Sequence, residues 1–140
     1  MIGKISFTVY GEPSAQKRHR STSINGKLRQ YDPSSNKKGD FLLMCLKNKP
    51  KQPIKDSPIR IVIKFVFKRP KSHYGTGKNS LKLKEIAPDK HINKPDIDNL
   101  IKFVMDALNG IYWHDDSQIF SVEASKFYGD VPLTEVTIIY

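Results

Sequence analysis

One cysteine, Cys45, is all the chain has, so no intrachain disulfide can form. Its place beside the apolar run Phe41-Leu42-Leu43-Met44 predicts a buried, inert thiol. Long apolar runs are also missing. The stretch from Ile59 to Phe67 is broken by Arg60 and Lys64 and falls far short of the ~20 residues that cross a bilayer, which argues against a helical membrane partner. The first five residues, Met1 to Ile5, lack the basic start, apolar core and small-residue cleavage site of a secretory leader, and a cytoplasmic location is the expectation. There is no Cys/His cluster of the kind that binds zinc, no Gly-rich phosphate loop, and no Ser/His/Asp or Cys/His arrangement in a recognisable context.

Acidic residues are scarce through the first two thirds of the chain and abundant after it. Residues 1–94 hold 22 Lys/Arg against 6 Asp/Glu, whereas residues 95–140 hold 2 against 8, within a total net charge of +10. A basic body suits a polyanion. Carboxylates repel phosphates unless a cation lies between them, so the acidic segment in that body points to a metal site facing nucleic acid. With 140 residues and 38% hydrophobic content, one modest core and therefore one domain spanning residues 1–140 is expected.

Periodicity outlines the elements. Ile5, Phe7 and Val9 alternate with Lys4, Ser6 and Thr8, the pattern of a half-buried strand, stopped by Gly11 and Pro13. A basic arm over about residues 14–30, with Lys17, Arg18, Arg20, Lys27 and Arg29, has no apolar period and reads as an exposed loop. Asp32 followed by Pro33 suggests a helix N-cap, and Phe41, Leu42, Cys45 and Leu46 supply the apolar face of a helix from about Pro33 to Lys47. Ile59, Ile61, Ile63, Phe65 and Phe67 give the clearest strand. Its other face, with Arg60, Lys64 and Lys68, either meets DNA or lays lysine stems along the sheet. Residues 69–93 form a long basic loop with no stable period, including Arg69 and Lys71. Leu100, Ile101, Val104, Ala107, Leu108 and Ile111 predict a helix from Ile97 to Asn109, stopped by Gly110. Alternation over Gln118–Tyr128 and Leu133–Tyr140, separated by Gly129-Asp130-Val131-Pro132, predicts two strands joined as a hairpin. The result is an α+β domain with a mixed sheet of about four strands and two helices.

Chemistry concentrates in the acidic segment. In Pro95-Asp96-Ile97-Asp98-Asn99, Asp96 and Asp98 point the same way from an extended stretch leading into a helix, about 6.6 Å apart, so both can reach one ion. Either one serves equally well as an N-cap at the positive helix end. Lys102 follows Asp98 by one turn as a transition-state cation or a surface ion pair, and Asp106 continues that polar face as a solubility residue. Asp115 and Asp116 are adjacent like charges that need a cation or hydrogen-bond donors, or else lie on a surface turn. Oxygen-only ligands suit Mg²⁺, with Mn²⁺ as a substitute. His19, His73, His91 and His114 read as hydrogen-bonding partners. Tyr31, Tyr74 and Trp113 offer rings for base stacking, with core packing preferred for Trp113.

The ordered set Asp96-x-Asp98-Asn99-Leu100, Lys102, Asp106-Ala107-Leu108 and Asp115-Asp116-x-Gln118 resembles the RusA-type Holliday junction resolvases, as does Gly11-Glu12-Pro13 with its following basic residues. That resemblance implies a homodimer that binds branched DNA, the four-way junction above all, and cuts it with Mg²⁺ or Mn²⁺. It also implies metal-binding and catalytic roles for Asp96, Asp98 and Asp116, a required lysine at Lys102, and an additional neighbouring acid at Asp115. Lys17, Arg18, Arg20, Lys27, Arg29, Lys68, Arg69 and Lys71 are the candidate phosphate contacts. The residues alone leave open a nuclease acting on forks or flaps, and a noncatalytic nucleic-acid-binding protein whose acids cap a helix.

Overall fold

The computed structural model describes residues 3–140. Strand β1 spans Lys4–Tyr10, followed by β2 (Arg20–Ile24), β3 (Lys27–Tyr31), helix α1 (Ser35–Cys45), β4 (Ile59–Lys68), helix α2 (Ile97–Leu108), β5 (Ile119–Gly129) and β6 (Leu133–Ile139). Four strands make a mixed sheet in the order β1-β6-β4-β5, and β2 and β3 make a separate two-stranded sheet. This α+β architecture, with two helices and a four-stranded sheet, agrees with the sequence expectation.

Strand β4 organises the sheet because its apolar alternation is the strongest. Ile59, Ile61, Ile63, Phe65 and Phe67 are all buried, and each such side chain contributes roughly 1.5–3 kcal/mol. So apolar a strand needs neighbours on both sides. β4 pairs parallel with β5 and antiparallel with β6. The predicted β5–β6 hairpin is therefore corrected: β4 lies between the two strands, and residues 130–132 cross over its end. Alternation states which face of a strand is buried and says nothing about which strand lies beside it. The crossover through α2 places β5 on one flank of β4 and leaves the other flank to β6.

The basic arm is likewise not a loop. β2 and β3 pair antiparallel from Arg20↔Tyr31 to Ile24↔Lys27, around Asn25 and Gly26 with φ of 51° and 77°. Asn-Gly at a two-residue connection is the preferred chemistry for a turn with two positive φ values. Every residue of both strands is exposed, so no burial period marks them in the sequence. Asp32 also departs from expectation. Helix α1 begins at Ser35 with Ser34 at the cap position, and Asp32 accepts a 2.8 Å hydrogen bond from the Ser34 N–H just outside it.

Helix α2 buries Leu100, Phe103, Val104, Ala107 and Leu108 against the sheet and meets α1 through an edge-to-face contact of Phe41 and Phe103, with centroids 5.7 Å apart. Trp113 and Tyr112 are fully buried just beyond it, and the Tyr112 hydroxyl donates to the Cys45 carbonyl. Cys45 is buried as expected, and burial pushes its thiol up to about 12. The long loop is anchored at both ends. The Arg69 guanidinium donates to the Pro88 carbonyl and to Asp89, at 2.6 and 2.9 Å. Residues 89–91 then run along the outer edge of β5 through Tyr128 N–H to Asp89 O and His91 N–H to Lys126 O.

Candidate active site

Asp96 is the cap residue of α2 by position, with extended φ and ψ of −68° and 144°, yet its side chain makes no capping hydrogen bond. That carboxylate is free to take a ligand. Asp98 lies in the first turn and accepts from the Asn99 N–H at 2.9 Å, which leaves its second oxygen available. Both side chains are exposed at the helix end whose N–H groups favour negative charge. Lys102, one turn further on, is exposed as well.

Asp116 sits at the opposite end of α2. Gly110 N–H donates to the Trp113 carbonyl and Tyr112 N–H to Leu108, so the chain turns tightly at the helix C-terminus and does not run back along it. β5 makes the return. Lys126, seven residues after Ile119 and so about 23 Å along the strand, donates 2.7 Å hydrogen bonds to the carbonyls of Asn93 and Pro95 beside the start of α2. The single chain thus separates Asp96 and Asp98 from Asp116. Among the described residues, no group of three His, Cys, Asp or Glu is close enough to hold one ion.

Asp116 is half-buried and has other acids for neighbours. Its Oδ1 accepts from the Trp113 indole N–H at 2.7 Å. Burial raises its pKa, the indole opposes this, and repulsion from Asp106 and Asp115 raises it further. Asp115 has a different task. It caps the short turn Asp116–Gln118, accepting from the Ser117 N–H and hydroxyl, while Gln118 Oε1 accepts from the Asp115 N–H at 2.9 Å. Those Ser117 bonds hold the Asp115 carboxyl below its ordinary range.

The sequence reading named Gln118 and Asp106 but missed the contacts each one makes. Gln118 Nε2 donates to the carbonyls of Ile54 and Ser57, at 3.1 and 3.2 Å, and so ties the Asp116 turn to the segment leading into β4. Asp106, expected only to aid solubility, accepts from Lys38 of α1 at 3.2 Å, and the same ammonium holds Asp32 at 2.5 Å. Its spacing of eight residues from Asp98, two helical turns, is the signal that places it on the same polar stripe. Gln16 completes this group: its N–H donates to the Asn99 carbonyl at 2.9 Å and its amide to Asp32 at 2.8 Å, so the root of the basic hairpin rests on α2.

Among the candidate phosphate contacts, Lys17, Arg18, Arg20, Lys27 and Arg29 are all exposed on or beside the hairpin, and Lys68 at the end of β4 and Lys71 after it are exposed too. Arg69 is engaged internally, with a side chain only 7% exposed. Arg60 pairs with Glu123 and Lys64 stands 5.3 Å from the Phe127 ring centroid, so these two cations of β4 are occupied within the sheet. The acids around α2 offer carboxylate oxygens, donors of the kind that suit a hard dication, and they are divided between the two helix ends.

Residues 10–139 match the profile of the family described as Endodeoxyribonuclease RusA. The chain is 40% identical over 139 residues to the uncharacterized protein YqaN of Bacillus subtilis (strain 168), covering 96% of this chain and 94% of that one. It is 28% identical over 137 residues to the crossover junction endodeoxyribonuclease rusA of Lactococcus phage r1t, covering 96% and 95%.

Proposed function

Because the chain belongs to the RusA endodeoxyribonuclease family, we propose that it is a Mg²⁺-dependent nuclease that resolves four-way DNA junctions as a homodimer, in recombination and repair. The observation that carries this reading is the free Asp96 carboxylate beside Asp98, at the foot of a basic hairpin that is itself seated on α2. Acids placed there without a cation would repel the very backbone that the arm attracts.

Asp96 and Asp98 would hold the ion from one side and Asp116 from the other, with Mn²⁺ as a substitute. Bound there, a divalent ion supplies an activated water and neutralises nonbridging phosphate oxygens. Lys102, one turn from Asp98, stabilises the charge that develops as the phosphodiester breaks. Asp115 and Gln118 shape the turn that presents Asp116. Lys17, Arg18, Arg20, Lys27 and Arg29, with Lys68 and Lys71, bind phosphates and set the orientation of the DNA without reading bases.

Asp98 and Asp106 stand about 12 Å apart along the helix axis, and Asp116 belongs to the Asp106 end. A two-fold related copy resolves this separation, because an isologous contact lays the second half of one site against the first half of the other. The deciding experiment is cleavage of junction, fork, flap and linear duplex DNA, each with Mg²⁺ and with EDTA. Paired nicks in the junction with Mg²⁺ alone are expected. Equal cutting of linear duplex, or cutting in EDTA, overturns the proposal.

A further inference from the structure

Beside the first turn of α2 lies an open cavity of about 490 Å³, lined by Ile92, Ile97 and Phe127, by His91, and by Lys90 and Lys126. Ile97 stands between Asp96 and Asp98 in sequence, so the cavity lies beside the segment that carries the acid pair. Its lining mixes apolar side chains with cations. Ile92 is 88% exposed and Ile97 37%, apolar side chains left in water next to lysines. No acid lines it.

His91 adds an independent observation. Its ring stacks on Phe67 with centroids 4.0 Å apart, the residue is only 8% exposed, and Nδ1 has no hydrogen-bond partner. Burial, and after it the charge of Lys126, lower the imidazole pKa, so the ring is neutral at pH 7 and can either donate or accept a hydrogen bond. Lys126 is fixed by its bonds to the Asn93 and Pro95 carbonyls, which leaves Lys90 as the cation able to swing onto an anion.

The matching ligand has apolar flat faces, a hydrogen-bonding edge and an attached anion. We propose that this cavity takes one unstacked base of the bound DNA, adjacent to the phosphate that lies at Asp96 and Asp98. Ile92, Ile97 and Phe127 cover the faces of the base, His91 meets its edge, and Lys90 meets its phosphate. This rests on the reading that the chain binds branched DNA, where stacking is already interrupted and extruding a base costs least. The cavity then fixes which phosphate reaches the acids.

The test uses the full chain and four-way junctions carrying 2-aminopurine, or an abasic site, at successive positions around the crossover, in EDTA so that binding is read without cutting. At one position the wild type should brighten 2-aminopurine on binding, and an abasic site there should weaken affinity at least about fivefold, the lower end of what stacking of one base contributes. Ile92→Ser, at an exposed position with no bearing on folding, should lose the brightening and make the abasic penalty vanish. His91→Phe keeps the stack on Phe67 and should keep the brightening while losing preference among the four bases. Absence of brightening at every position, or an unchanged signal and abasic penalty in Ile92→Ser, overturns the base site. Mg²⁺-dependent cutting measured in parallel separates the two ideas. Junction cutting without a base signal sinks the cavity assignment alone, and a base signal without cutting sinks the nuclease reading alone.

Discussion

At the scale of single residues, the acids around α2 differ in how each is held. Asp115 is consumed by the turn it caps, whereas Asp96 makes no capping bond. Asp116 keeps one oxygen on the Trp113 indole and feels two neighbouring acids. Replacing Asp96, Asp98 or Asp116 by Asn removes a charge without changing volume. Each substitution should abolish cleavage and leave junction affinity intact or tighter, since a carboxylate that repels phosphate is gone. Wild-type cleavage in any of the three would remove that residue from the site. Lys102 calls for a different measurement because a lysine can serve binding or catalysis. Lys102→Ala should slow single-turnover cleavage by about 10²-fold, within the range for loss of one charge-stabilising donor, with junction affinity nearly unchanged. A fall in affinity that matches the fall in rate would make Lys102 a phosphate contact only.

At the scale of elements, the hairpin and its root are the part of the molecule that the sequence disguised. Helix α2 and strand β4 were legible because one face of each is buried and the apolar period survives in the sequence. β2 and β3 bury nothing, and only Asn25-Gly26 betrayed them. Nor could the acidic segment disclose that Asp106 and Asp32 share Lys38, because that contact joins residues 68 apart. The Asp32 group has a measurable signature. Burial of Asp32 works against its charge, but the hydrogen bonds from Lys38, Ser34 and Gln16 prevail and lower its pKa from 3.8 to about 2. A depressed folded-state pKa contributes stability above pH 3.8 that is lost as pH falls towards 2. Asp32→Asn should therefore destabilise the fold by on the order of 1–2 kcal/mol at pH 7, with the difference from wild type shrinking between pH 4 and pH 2. Thermal or urea unfolding across that window measures it, and a pH-independent difference would mean that packing, not charge, holds the root. The exposed strands above the root answer to salt. Replacing Lys17, Arg18 and Arg20 together by Ala should weaken binding to every DNA shape and reduce the slope of log affinity against log salt by up to about 3. An unchanged slope would show that the arm does not touch the backbone.

At the scale of the whole molecule, the sheet bears on whether the proposed site is shared between two copies. The parallel β4–β5 pair, expected from a helical crossover, carries the chain from the foot of α2 to its far end and back along β5. The turn that follows α2 is closed by Gly110–Trp113 and Tyr112–Leu108 backbone hydrogen bonds and stapled to Ile54 and Ser57 through Gln118. Bringing Asp116 to Asp96 within one chain would break those bonds and expose Trp113, whose burial alone is worth several kcal/mol. Association across a two-fold axis demands no such change. The arrangement is decided by mixing subunits that carry Asp96→Asn with subunits that carry Asp116→Asn. In a dimer that shares its ligands, one site of the mixed species collects both lesions and the other has none, so junctions should be nicked once while either parent alone cuts nothing. If each chain builds its own site, every site in the mixed dimer carries one lesion and no nick appears. Verified mixed dimers that fail to nick would rule out the shared site and require the 110–115 turn to reopen on binding DNA.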